Sequence, residues 1–157
     1  MCSSDLPYLS TETYLVDHNG LLVKQWNSTG NISETVGIRL LPDGKLMRMG
    51  LSYDIRTNSS MNAGGASNSI EIINPDGSLF WNIQIANQEL RLHHDALMLP
   101  NGNVLAIVWN YMSETQAISF GKLRSEVDSR GFWPDSIVEL ERTSTTTHEI
   151  VWMWNAS

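Results

Sequence analysis

Apolar and polar positions alternate along most of the chain, and turn residues interrupt the alternation at regular intervals. Three segments share a β-rich run, a turn and a second run ending in Trp: residues 13–26 (TYLVDHNGLLVKQW), 69–81 (SIEIINPDGSLFW) and 136–154 (SIVELERTSTTTHEIVWMW). A second kind of hairpin lies between them, at 38–50 (IRLLPDGKLMRMG) and 95–109 (DALMLPNGNVLAIVW). Period-2 alternation in runs rich in Ile, Val, Leu, Tyr and Trp predicts half-buried strands. His18-Asn19-Gly20, Pro75-Asp76-Gly77 and Pro100-Asn101-Gly102, with Pro42-Asp43-Gly44 beside them, supply residues that tolerate positive φ and predict primed hairpin turns. The first kind of segment starts at 13, 69 and 136, spacings of 56 and 67, and the second at 38 and 95, a spacing of 57.

Helical periodicity is confined to one candidate, residues 113–123 (SETQAISFGKL), with Ser113 as cap and Gln116 at the capping-box position. Two alternating hairpins at a fixed spacing predict an all-β chain built from the four-stranded blades of a β-propeller. A two-sheet sandwich leaves the spacing unexplained. Propellers close with about four to eight blades. The 157 residues hold about two and a half, so the chain is expected to be a propeller fragment. Residues 1–6 (MCSSDL) fit nothing after them and are expected to be non-native, leaving 7–157 as a partial propeller domain.

Composition narrows the class. Apolar residues make up 41% and charged residues 17%, as in a globular protein. The formal charge of -7, without a Lys/Arg cluster, argues against nucleic acid or an anionic membrane as partner. The lone Cys2 forms no disulfide framework and no thiolate metal site. No apolar run approaches the ~20 residues of a membrane-spanning helix. Phosphate-loop, His-Glu-x-x-His, Gly-x-Ser-x-Gly and EF-hand patterns are absent, and no metal or cofactor is expected.

The residues that suggest chemistry are His93-His94-Asp95, at the start of a strand. On a straight strand His93 and Asp95 share one face and His94 takes the other. A histidine beside a carboxylate suits general acid/base or nucleophilic work; a hydrogen-bonded polar strand entrance is the structural alternative. His93 is favoured over His94 because Asp95 shares its face. Lys122, Arg124, Arg91 and Arg130 are the positive charges near the middle loops. Trp133 lies in a loop, and Asp135 is a strand-start residue or a channel acid. His18 belongs to a surface turn and His148 to an exposed Thr-rich turn. The glycine pair of Asn62-Ala63-Gly64-Gly65-Ala66 predicts a flexible turn.

Taken in succession, TYLVDHNGLLVKQW, RLLPDGKLMRMG, GGASNSIEIINPDGSLFW, HHDALMLPNGNVLAIVW, ETQAISFGK and GFWPDSIVELERTSTTTHEIVWMW resemble the arylsulfotransferase (aryl-sulfate sulfotransferase) family, over residues 13–154. HHDALMLPNGNVLA and the late VWMW strand are the most specific pieces. The resemblance implies a propeller of about six blades, exported to the periplasm or the extracellular space. It implies transfer of a sulfuryl group from a phenolic sulfate ester to an acceptor phenol through a histidine, without a nucleotide sulfate donor. His93 and His94 match the family's paired histidines. Asp95 would orient the reacting one, while Lys122, Trp133 and Asp135 are candidate substrate-binding residues. A secreted propeller module that binds an aromatic or glycan ligand without turnover is the alternative.

Overall fold

β-Branched and aromatic residues on alternating sides of the backbone form eleven strands among the described residues, which are 3–5, 10–52, 63–85, 87–127 and 131–156 of this computed structural model. Met1, Cys2 and Leu6 of the leading segment, Asn62 of the glycine turn, and Arg130 lie outside them. Strands β1 (Ser3–Asp5), β2 (Glu12–Val16) and β3 (Leu22–Asn27) make a three-stranded sheet. Strands β4 (Ile32–Leu40), β5 (Leu46–Ser52), β6 (Ser69–Ile73) and β7 (Leu79–Gln84) make a four-stranded sheet in chain order. A second four-stranded sheet holds β8 (Leu90–Met98), β9 (Val104–Asn110), β10 (Asp135–Arg142) and β11 (His148–Asn155). Every pairing between them is antiparallel. No helix among the described residues is long and apolar enough to cross a membrane.

The hairpin turns differ from the primed geometry expected. Gly44, Gly77 and Gly102 have φ between 83° and 91°, while Asp43, Asp76 and Asn101 do not have positive φ. Each turn closes with a glycine N–H donating to a carbonyl three residues back, as Gly102 does to Leu99 (2.9 Å). Proline in first position fixes φ for a type I turn, and the glycine then supplies the single left-handed residue. The Asp and Asn side chains instead accept from the backbone N–H two residues on, as Asn101 does from Asn103 (3.0 Å).

The helix is also shorter than expected. α1 spans Glu114–Ser119, with the Ser113–Gln116 capping box formed as the sequence predicts. Gly121, at φ 96°, ends it, and Gly121 N–H and Lys122 N–H donate to the Ile118 and Ala117 carbonyls.

The two four-stranded sheets pack on each other around Met47, Met49, Ile70, Ile72, Trp81, Ile83, Leu92, Val104, Val108, Val138 and Leu140. In the β4–β7 sheet the cross-strand rows Met49–Ile70–Ile83 and Met47–Ile72–Trp81 are buried in this core. In the β8–β11 sheet the corresponding rows are Ile107–Ile137–Trp154 and Leu105–Glu139–Trp152. There Trp152 and Trp154 are exposed. The three outer hairpins share one register shift, at Leu15/Val16, Ile72/Ile73 and Glu139/Leu140. This register pairs Trp81 with Trp152 and Trp26 with Trp154, so the strand-end tryptophans fall at two positions rather than one.

A buried ion pair ties the first two sheets together. Arg48 and Glu71 face each other across β5 and β6, both fully buried, with Arg48 Nε donating to Glu71 Oε2 at 3.0 Å. Arg48 also donates to the Ile32 and Thr11 carbonyls and to Thr13 Oγ1, while Glu71 accepts from the Thr29 N–H and hydroxyl. Each charge is thus neutralised and hydrogen-bonded, the condition for carrying an ion pair in an interior.

Candidate active site

The expected alternation fails at the residues of interest. β8 and β9 pair regularly up to Leu92↔Val108 and resume at Ala96↔Ala106, so 93–95 bulge out of the ladder. β4 bulges in the same way, between Glu34 and Ile38, so the register aligns Ile38 with Ala96. Within the β8 bulge His94 takes φ 53°, the left-handed region. An L-residue pays about 1–2 kcal/mol for that conformation. Bulges re-aim side chains, and here both imidazoles turn to the same place instead of opposite faces. Their Nδ1 atoms stand 2.9 Å apart and their rings meet edge to face, with centroids 5.1 Å apart.

Asp95 is not the carboxylate that orients the pair. The bulge sends it to Arg39 on β4, at 2.6 Å, and its other oxygen accepts from the Ala96 N–H. Arg39 Nε donates to the Ala96 carbonyl as well, so Asp95 helps strap the two larger sheets together. The carboxylate that faces the histidines is Asp135, at the start of β10: its Oδ1 is 3.4 Å from His93 Nε2. That distance is a charge contact rather than a formed hydrogen bond.

Packing holds the pair in place from two sides. The His93 ring lies flat on Trp109, with centroids 4.2 Å apart and planes 12° from parallel, and is 4% exposed. The His94 ring lies over Gly65: a Cβ there would stand 2.3 Å from His94 Nε2. His94 N–H donates to the Gly65 carbonyl (2.9 Å), and Ala66 bridges to His93. The glycine turn expected as a flexible connection is therefore a wall of the site, with Gly65 at φ 79°.

Burial pushes the His93 imidazole below the ordinary histidine range; the Asp135 carboxylate opposes that shift and the His94 ring adds to it. His93 is neutral at neutral pH. Two Nδ1 atoms in contact need one N–H and one lone pair. Two arrangements meet this: with His94 donating, His93 carries its proton on Nε2, toward Asp135, and the exposed His94 ring has its Nε2 lone pair free; with His93 donating, the roles are exchanged.

The remaining candidates line the connection between β9 and β10. Lys122 is exposed, with Nζ 4.6 Å from the centre of the Phe132 ring. Trp133 is half-buried against Tyr111, ring centroids 5.1 Å apart. The connection is fastened where Tyr111 N–H donates to the Glu89 carbonyl and Met112 bridges to Phe132. His18 is exposed in its turn. His148 is half-buried rather than exposed, because it opens β11 opposite Arg142, and burial lowers its pKa. Sequence reasoning did not single out Trp109 or Gly65. The signal for Gly65 was its place in a glycine pair ahead of a strand; for Trp109 there was none beyond its alternation.

A family model described as Arylsulfotransferase (ASST) matches residues 7–157. No curated protein matches the chain.

Proposed function

Because the chain belongs to the arylsulfotransferase family, we propose that the His93–His94 pair carries a sulfuryl group from a phenolic sulfate ester to an acceptor phenol, without a nucleotide sulfate donor. The Nδ1–Nδ1 contact of 2.9 Å carries this proposal, because it leaves one imidazole with a free nitrogen and the other as its proton partner.

His94 Nε2 attacks sulfur: an N–S bond forms, the ester S–O bond breaks, and the phenolate departs. The His94 ring becomes cationic as the bond forms. Its Nδ1 proton is held by His93 Nδ1, and His93 in turn presents its Nε2 proton to Asp135. A carboxylate, an orienting histidine and a nucleophile in line follow the logic of the hydrolase triads. The acceptor phenol then attacks sulfur, the N–S bond breaks, and the acceptor's proton leaves with the phenolate formed in the first half.

The architecture proposed for the domain is a β-propeller. Its support is the recurring register shift of the outer hairpins and the matching cross-strand rows of the two larger sheets, one set buried against the next sheet and the other ending in the exposed Trp152 and Trp154. Export to the periplasm or the extracellular space follows from the family reading. The test of function is release of phenol from a chromogenic aryl sulfate by the full-length protein, with formation of the sulfated acceptor phenol. Aryl sulfate binding with no release would favour the ligand-binding module instead.

A further inference from the structure

Two arginines are buried in the described residues, and their surroundings differ. Arg48 is fully satisfied by Glu71, Thr13 and two carbonyls. Arg91, on β8, is 3% exposed, and its Nε and Nη1 make no hydrogen bond among the described residues. A guanidinium does not shed its proton in a protein. A buried cation without an anion is destabilising unless something arrives to neutralise it.

The strand register says where that partner would sit. Arg91 pairs with Trp109, and Trp109 with Asp135, so the three form one row across β8, β9 and β10. Residues directly opposite in an antiparallel ladder project from the same face. The neighbouring row, Leu92–Val108–Ser136, is buried, with Leu92 and Val108 turned to the core shared with the β4–β7 sheet. The Arg91 row therefore faces away from that core, and His93 lies on the indole at its centre. Trp109 stands between Arg91 and Asp135 in the row, and among the described residues no ion pair is formed by Arg91.

We propose that Arg91 binds the sulfuryl oxygens of the sulfate ester beside the imidazole pair. The proposal rests on the sulfuryl-transfer reading for its substrate, though not for the demand for an anion. The planar fork of a guanidinium matches two oxygens of a tetrahedral oxyanion. In this position it neutralises the charge on the group being passed and draws it toward His94. Lys122, exposed and set over Phe132, lacks the burial that makes such a contact strong.

The test uses the full-length protein, Arg91→Met and Arg91→Gln, with inorganic sulfate as probe and thermal unfolding as readout. Wild type should gain Tm as sulfate is added. Both variants should unfold at or above the wild-type temperature without sulfate, since a lone buried charge is gone, and neither should respond to sulfate. In turnover, KM for the aryl sulfate should rise about 10- to 100-fold, as expected for a lost charged hydrogen bond, with KM for the uncharged acceptor unchanged. Arg91→Lys should recover part of the sulfate response. If both variants lose Tm sharply, or keep the wild-type response to sulfate, the proposal is overturned. Should the wild type show no transfer while its sulfate response still requires Arg91, the anion site stands and the sulfotransferase reading fails separately.

Discussion

His93 and His94 are joined through their Nδ1 atoms, 2.9 Å apart, although they are neighbours on a strand that would normally send them to opposite faces. Such a contact takes one N–H and one lone pair, and the proposed mechanism gives the two rings unequal tasks. His94→Ala removes the free nitrogen and should abolish transfer from an aryl sulfate. His93→Ala removes a proton partner and should slow turnover by about 10²–10⁴-fold. Steady-state assays of the two variants check this; equal losses would mean that the tasks are not divided.

Gly65→Ala should separate activity from stability. The added methyl would stand 2.3 Å from His94 Nε2, and the residue sits at φ 79°. The strain amounts to about 1–2 kcal/mol, within what a folded domain tolerates. The imidazole, however, must leave its place. Turnover should slow by about two orders of magnitude or more, since small displacements of reacting groups carry losses of that size. The check is kcat beside Tm, with the Tm change small.

Acid should act on stability through the His93 ring. His93 has its pKa lowered by burial, so its contribution to stability is complete above the ordinary value of 6.5 and is lost as pH falls through the lower folded value. The unfolded chain takes up the proton first. His148 acts in the same direction. The acid loss of stability should therefore begin near the ordinary value and level off only below the folded one. Asp135 opposes the lowering, so Asp135→Asn should extend that loss to still lower pH. Because Asp135 is well exposed, salt should shrink the difference between variant and wild type. Tm against pH for each protein at low and high salt measures it.

Arg48→Met should destabilise the fold by about 3–5 kcal/mol, because Glu71 would remain as a buried unpaired charge. Arg48→Met with Glu71→Leu should cost less than the single change. Denaturant unfolding of the full-length protein distinguishes the two; a double variant as unstable as the single one would show that the hydrogen bonds to Thr29 and Ile32, not the charge pair, hold the sheets.

The hairpins were legible because apolar alternation and the Pro-Asx-Gly turns leave few other solutions for segments such as 38–50 and 95–109. The capping box of α1 was legible for the same local reason. The arrangement of the site was not. Alternation assigns faces only while a strand stays in register, and three residues at 93–95 leave it. That exchange takes Asp95 from His93 to Arg39 and brings Asp135, 42 positions further on than His93, into its place. Asp135 was a candidate by its position at a strand start, but its partner depends on the pairing of β10 with β9. Arg91 was visible as a charge between two leucines; that its Nε and Nη1 make no hydrogen bond among the described residues is a property of the packed chain.

The fate of the sulfuryl group in a single turnover tests transfer through the imidazole pair most directly. The full-length protein is mixed with an aryl sulfate and no acceptor, quenched in base, digested and examined by mass spectrometry. The predicted result is a peptide carrying the sulfuryl group on His94, formed as phenol is released, lost when an acceptor phenol is added, and absent from His94→Ala. Phenol release with unmodified histidines, or modification of His93 in a protein that keeps full turnover as His94→Ala, would contradict it.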